Sequence, residues 1–387
     1  LQTAIAGWCR GVVQVVVLAL VVGLIRPDTG LAALAIQYTT KDRLHFSASG
    51  AALFGVFANV PFFLAFLVGR ARDGLRRWGP ADRWIVAAGS VLLAGSYWAV
   101  EAGTPEAGVF TALIIATGFA TQFLLVPMEA VLTEVGQANR NVAAYAGLIG
   151  MSQSLPGIFS GVVSGRLIDA SGMQRLLLIV VGVSLLPLLF AAGLRESKVS
   201  GSSARRSPVG LAIVPIVAWG FVAFTPAWPT AQFYFLSNIR QLSPSAYGTF
   251  VSLTAAGTAV GSLAWSPLRS SLGRFRALVV LGILTLAGAS GWSILGGSGI
   301  SAAALLHGLV LGLSFACVQA EAMRLCPPGS EGSVNGWMIA SGAVTSSLAD
   351  LLGAKIFESA GIVIPVLISQ ASCLIGLGIL FFRTGDG

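Results

Sequence analysis

The chain has 387 residues, 55% of them hydrophobic and 10% charged, with a formal net charge of +8 and a mean hydropathy of +0.84. A soluble protein carries roughly a quarter charged residues, so composition excludes a soluble domain. Apolar runs of about 20 residues recur from end to end and call for a polytopic membrane protein. Their length and lack of alternation exclude tilted β-strands. The basic residues gather in short loops, as the positive-inside rule expects, and this removes nucleic acid as the meaning of the charge.

In chain order the runs predict twelve spans, near 12–40, 49–69, 83–101, 108–135, 142–165, 175–194, 209–237, 246–267, 276–294, 299–324, 333–357 and 362–383. The first starts near residue 12 with no cleavage-site pattern after it, so it reads as a span and not a cleaved signal peptide. The expected fold is an all-α membrane protein with two pseudo-symmetric six-helix bundles, 1–194 and 209–387. The Ser- and Arg-rich stretch RESKVSGSSARRSP, 195–208, is the cytoplasmic linker between them. With the N-terminus inside, sixteen Lys and Arg fall on the inner side and six on the outer, with Arg26 inside a span. Both termini are therefore expected in the cytoplasm, in a plasma (inner) membrane protein.

The first span holds Arg26, Pro27 and Asp28 at mid-depth. A charge at the membrane centre costs at least ~2.5–3.5 kcal/mol on insertion scales, so it faces a cavity or a partner. Residues two apart on a regular helix point about 200° from each other. Pro27 and Gly30 are expected to break the helix there, which lets the two charges work together. Further along, mid-depth polar groups fall on seven more spans: Asn59 on the second, Thr121 and Gln122 on the fourth, Gln153 on the fifth. They continue with Trp228 and Gln232 on the seventh, Thr254 and Thr258 on the eighth, Gln319 on the tenth and Asp350 on the eleventh. The third, sixth, ninth and twelfth are almost wholly apolar there. Eight helices lining a wet cavity, with every third helix facing lipid, explains the pattern.

The halves repeat. RLHFSASG (43–50) aligns with QLSPSAYG (241–248), an offset that also pairs Arg76 with Arg274. GLIGMSQSLPGIFSGVVSGRLIDASG, from Gly147, aligns with GWMIASGAVTSSLADLLGAKIFESAG, from Gly336. Parallel six-span repeats are a transporter signature, and end to end the chain resembles the major facilitator superfamily. The loop GRARDGLRRWGPADRW (69–84) resembles that superfamily's inner gate loop, and the resemblance implies that Asp73 pairs with Arg76 or Arg77 at a gate.

A sharper resemblance is to the folate–biopterin transporter family. It rests on AEAMRLCPPGSEGSVNGWM (320–338), with EAVLTE (129–134), PLLFAAGLRES (187–197) and PTAQFYFLSNIRQLSPSAYG (229–248) in support. Two positions depart from that family. No lysine stands in the stretch Pro61 to Phe66, where Ala65 occupies its place, and Leu125 replaces an acid one turn before Glu129. The resemblance implies a folate- or pterin-like substrate.

The residues themselves suggest roles. Arg26 keeps its charge at any working pH and can hold an anionic substrate in bidentate fashion. Asp28 can titrate and is the expected proton-coupling group, with Glu129 and Asp350 as further candidates. Asn59, Gln122, Trp228 and Gln232 complete the expected substrate site, with Tyr234 and His307 as weaker members. Glu321 with Arg324, together with Asp73, Arg76 and Arg77, form the expected gate, and Glu134 sits nearby. Asp350 is expected to find Lys355 or Arg240 as its donor.

The expected partners are a small organic anion, protons and the bilayer, with the protein a monomer. No cofactor or metal is implied, since Cys9, Cys317, Cys326 and Cys373 are scattered. Two isolated histidines argue against a membrane enzyme. A transporter or exporter of another nutrient or drug-like molecule, and a non-transporting receptor or assembly factor, remain open on this pattern.

Overall fold

The computed structural model describes residues 2–76, 79, 81–102, 106–171, 173–191, 212–288, 291–294 and 299–382, and among them every regular element is a helix. The expected linker 195–208 lies outside the described residues.

The first apolar run does not make one helix. α1 (Gln2–Ile25) stops at Arg26 and α2 (Leu31–Tyr38) restarts after Gly30. Pro27 supplies no N–H. Gly30 is required, because a Cβ there would lie 2.4 Å from the Leu24 carbonyl oxygen and 2.6 Å from that of Arg26. The second run is broken too, at Asn59 and Leu64, into α3 (Ala48–Ala58), α4 (Val60–Phe63) and α5 (Ala65–Leu75). There follow α6 (Asp82–Ala102), α7 (Ala107–Ala138), α8 (Val142–Ser171), α9 (Met173–Ser184) and α10 (Pro187–Ala191).

The second part opens with another broken run, α11 (Ile213–Ala223) and α12 (Thr230–Tyr234), with Pro226 between them. α13 (Pro244–Gly288) holds two expected spans in one run, kinked at Gly273, whose φ is 74°. α14 (Gly291–Ile294), α15 (Gly299–Leu325), α16 (Glu331–Ala360) and α17 (Val363–Phe382) complete the chain.

Six helices among the described residues are long and apolar enough to cross a membrane, and four shorter apolar helices accompany them. The breaks at 26–30, 59–64 and 224–229 shorten three of the expected spans. α16 is long but too polar to count, because Thr345, Ser346, Ser347 and Asp350 lie in its middle.

The repeat is written in the backbone. A π-helical turn, Thr39–Arg43, leads into bonds from Leu44 N to Thr39 O and Phe46 N to Thr40 O. A second, Phe235–Ile239, leads into bonds from Arg240 N to Phe235 O and Leu242 N to Leu236 O. His45 and Gln241 then take left-handed φ of 53° and 54°, and Ser47 and Ser243 cap the next helices by accepting from Gly50 N and Ala246 N. This pairs His45 with Gln241, two residues away from the alignment of matching letters, which pairs Arg43 with Gln241. Backbone geometry and capping chemistry hold the true register, and the matching letters do not. The second alignment stands: α8 and α16 are both 30 residues long and start and end in register.

The two parts of the chain meet through α8 against α13 and through α3, α4 and α5 against α16. The small-residue stripe of α8 makes the first contact close. A Cβ on Gly161 would lie 2.5 Å from Gly248 O, and one on Gly165 would lie 2.8 Å from Pro244 O.

Candidate functional site

The helix breaks surround a central cavity of about 590 Å³, within the range of small-molecule sites. At the first break Arg26 holds Asp28 with two hydrogen bonds, Nε to Oδ1 at 2.9 Å and Nη2 to Oδ2 at 2.5 Å. Its Nη1 donates to Gln153 Oε1 at 3.1 Å, and Gln153 Nε2 donates to Glu129 Oε1 at 2.6 Å. The polar row thus runs Asp28–Arg26–Gln153–Glu129, across the first break, α8 and α7. Carbonyls freed by the break find hydroxyls: Tyr97 donates to Ile25 O at 2.7 Å and Ser160 to Thr29 O at 3.4 Å. Gln153 is a central member that the sequence marked only as polar.

The second break is held from α16. Asp350 accepts from Thr230 N at 2.9 Å and from Thr230 Oγ1 at 2.7 Å. Lys355 and Arg240 are not its donors. Lys355 lies five residues on, about 140° around the helix, and Arg240 donates instead to Ser293 O at 3.2 Å. Asn59, at the break after α3, donates to Ser347 Oγ at 3.0 Å, so the cavity wall is tied between α3 and α16. Trp228 lies against His307, with ring centroids 5.6 Å apart, and both line the cavity, as does Tyr234.

Two expected members are elsewhere. Gln232 is fully buried and does not line the cavity. Thr230, Phe233 and Tyr234 face inward, and a residue two along from Thr230 points about 200° away from it. Gln122 is also fully buried. Ile114, Leu125 and Glu129 carry the cavity face of α7, and Gln122 is rotated about 60° off Leu125 and enclosed. Ala65 is fully buried where Gly336 packs on its backbone, which leaves no room for a lysine.

Both ends of the cavity are crossed by contacts between the two parts of the chain. At the arginine-rich end Asp73 caps α16, accepting from Gly332 N at 3.0 Å, Ser333 N at 2.8 Å and Ser333 Oγ at 2.7 Å. Gln137 Nε2 donates to the carbonyls of Met323 and Cys326. Asp73 does not pair with Arg76, which turns instead to Glu134 on α7, and Arg77 lies outside the described residues. The ion partner of Asp73 is Arg72, at 3.3 Å, a fully buried residue that also donates to Asp82 at 2.8 Å and to Glu134 at 2.9 Å. Burial pulls the Arg72 pKa down, but Asp82, Glu134 and Asp73 together outweigh it and hold it above its ordinary value. Sequence reading passed over Arg72 and Asp82 because a run of loop charges looks the same whether solvated or buried.

In the second part, Glu321 gathers Arg324 at 2.9 Å, Arg274 at 3.2 Å and Arg269 at 3.9 Å. At the opposite end Tyr234 donates to Phe46 O at 2.5 Å, and Ser49 N donates to Glu358 at 2.8 Å. A shallow hollow of about 640 Å³ lies outside these two contacts, lined by Lys41, His45, Asn238 and Glu358 among others.

The family model described as Major Facilitator Superfamily matches residues 18–350. The chain belongs to the major facilitator superfamily. Solved structures of that architecture are similar along nearly the whole length. The human organic anion transporter MFSD10 (TETRAN) is 19% identical with a TM-score of 0.68, over 96% of this chain and 99% of that one. A bacterial homologue of the iron transporter ferroportin in its outward-facing state is 16% identical with a TM-score of 0.64, over 96% and 98%. No curated protein matches the sequence. The likeness to these structures is one of fold. Family membership makes this facilitator an integral, multi-pass membrane transporter and not an enzyme, and its cavity lies where the breaks of two repeats meet.

Proposed function

We propose that this facilitator is a secondary active transporter that moves a small organic anion with a proton, by alternating access. On this reading twelve spans form two six-helix bundles, 1–194 and 209–387, joined by 195–208, with both termini in the cytoplasm. The observation that carries the proposal is the charge set of the cavity. Arg26 is the one Lys or Arg among its described lining residues, and the same lining holds three carboxylates, Asp28, Glu129 and Asp350. Asp28 occupies two of Arg26's donors. A substrate carboxylate needs those donors and would add a fourth negative charge to a low-dielectric space. Protonating Asp28 releases Arg26 and removes one negative charge, so anion binding and proton uptake are linked. The resemblance to folate–biopterin transporters, and the fold shared with an organic anion transporter, favour a folate- or pterin-like anion.

The test is thermal stabilisation of purified protein by folate, reduced folates, biopterin and unrelated organic anions, at acid and neutral pH. An anion that binds is expected to raise the melting temperature more at acid pH. Arg26→Gln is expected to lose the shift and Asp28→Asn to make it independent of pH. Equal stabilisation of Arg26→Gln would remove Arg26 from the site.

The excess of carboxylates favours one second reading, an organic cation that competes with Arg26 for Asp28. It predicts the opposite sign, with binding weakened by acid, and the same titration run with an organic cation such as tetraphenylphosphonium beside the anions separates the two.

A further inference from the structure

The arginine clusters at the arginine-rich end are unequally compensated. In the first part of the chain Arg72 and Arg76 are met by three carboxylates, Asp73, Asp82 and Glu134. In the second part three guanidiniums, Arg269, Arg274 and Arg324, converge on Glu321, their one carboxylate partner among the described residues. The side chains of Arg269 and Arg274 are 28% and 25% exposed, so the set is half sheltered and still reachable. Burial and the neighbouring arginines Arg324 and Arg269 outweigh Glu321, and Arg274 lies below its ordinary pKa, whereas Arg72 lies above it. Among the described residues the second cluster has one carboxylate where the first has three.

What lies beside the cluster says where an anion comes from. α13 turns at Gly273 and carries Phe275, Val279, Ile283 and Leu286 outward from that point, all exposed. Their spacing of four, four and three residues puts them on one helix face. Phe275 also meets Phe381 of α17 at 4.5 Å between ring centroids. An apolar track therefore starts one residue from Arg274 and runs along the membrane-facing surface, away from the arginine-rich end.

We propose that Arg269, Arg274 and Arg324 bind the phosphate of an anionic phospholipid, with an acyl chain laid along Phe275, Val279 and Ile283. The phosphate accepts charge-assisted hydrogen bonds and supplies the negative charge that Glu321 alone does not. The site stands outside the central cavity and is independent of what the cavity carries.

The experiment is lipid retention by the full-length protein, delipidated in detergent and offered equal amounts of dioleoyl-phosphatidylglycerol and dioleoyl-phosphatidylcholine. Native mass spectrometry reads the bound lipid. An arginine near a membrane surface contributes a factor of about fivefold in binding an anionic lipid. Phosphatidylglycerol is expected to be preferred in the wild type. Arg274→Gln should weaken it about fivefold and the Arg269→Gln/Arg274→Gln pair about 25-fold, with phosphatidylcholine unchanged. The pair leaves Arg324 on Glu321, so no carboxylate is stranded. If the pair does not purify as a single species, Arg269→Lys/Arg274→Lys keeps the charge and should keep the preference. Ile283→Ser should weaken retention of phosphatidylglycerol while leaving the response to free anions unchanged. Equal retention of the two lipids by the wild type, or an unchanged preference in Arg274→Gln, overturns the proposal. Inorganic phosphate or glycerol 3-phosphate that stabilises the protein as strongly as phosphatidylglycerol would assign the cluster to a soluble anion and overturn the lipid.

Discussion

Asp73→Asn should open the arginine-rich end. The carboxylate accepts three hydrogen bonds from the first turn of α16 and faces Arg72, so it ties α5 to a helix N-terminus with favourable dipole charge. Asn keeps one acceptor oxygen and turns an amide N–H₂ toward a backbone donor. Losing one charge-assisted bond costs about 1.5–3 kcal/mol, here about 2–3 kcal/mol with the charge term. That shifts a closed–open equilibrium about 30- to 160-fold. Cys326 is the natural reporter. It is buried at this seam, beside the Gln137 contact, and burial first, then nearby carboxylates, raise its thiol pKa and slow its reaction. With the other three cysteines replaced by serine, maleimide labelling of Cys326 should accelerate by that factor in Asp73→Asn and stay slow in Asp73→Glu. An unchanged labelling rate in Asp73→Asn would mean that the α16 cap does not hold the seam, and the gate argument would fail.

Three further outcomes follow from the same geometry. At the opposite end, Tyr234→Phe and Glu358→Ala each remove a contact between the two parts of the chain, worth about 0.5–1.5 kcal/mol for the neutral tyrosine bond. A cysteine placed at cavity-lining Ala51 should then react faster with a membrane-impermeant thiol reagent, and equal rates would place the barrier elsewhere. Gly353→Ala sets a Cβ 1.7 Å from the Pro226 carbonyl oxygen, so it should cost about 1–3 kcal/mol in thermal unfolding, whereas Gly74→Ala, with nothing within 4 Å, should cost little. Burial is the main cause that raises the Glu331 pKa. A carboxyl whose folded pKa lies above its unfolded value, about 4.3, holds its proton in the fold at low pH, and that stabilisation is lost as pH rises through the folded pKa. Glu331→Gln should therefore flatten the fall in stability across that window, and an unchanged pH profile would show that Glu331 does not titrate there.

The membrane class, the break at Pro27 and the position of Arg26 and Asp28 on the cavity were legible because each rests on local chemistry: hydropathy, a missing backbone donor, and the cost of charge at depth. Asp350 was legible as an unusual acid, but its partner was not. A helix break on another element supplies Thr230, and nothing in the local sequence around Asp350 announces it. The repeat illustrates the same limit. Letters favour pairing Arg43 with Gln241, yet the π turns, the left-handed His45 and Gln241 and the serine caps fix a register two residues away. Gln122 and Gln232 failed for a rotational reason, since polarity in a span says that a residue avoids lipid but not which wall encloses it. Arg72 failed because its burial depends on two acids brought in from other helices, Asp82 of α6 and Glu134 of α7.

Charge balance, taken cluster by cluster, separates scaffold from site. The Arg72–Asp82 pair is compensated within the protein and fully buried, and removing one partner of such a pair strands a charge at a cost of about 3–5 kcal/mol, so its natural role is structural. The cavity holds more carboxylate than guanidinium, and the Arg274 cluster more guanidinium than carboxylate. In the enclosed cavity an uncompensated charge is costly, and on the proposed reading protons and a substrate settle that imbalance. At the partly exposed Arg274 cluster the proposed lipid phosphate settles the other. On these two proposals one facilitator carries an acid-rich centre beside a base-rich edge, and the sign of each imbalance sets the charge of its proposed partner.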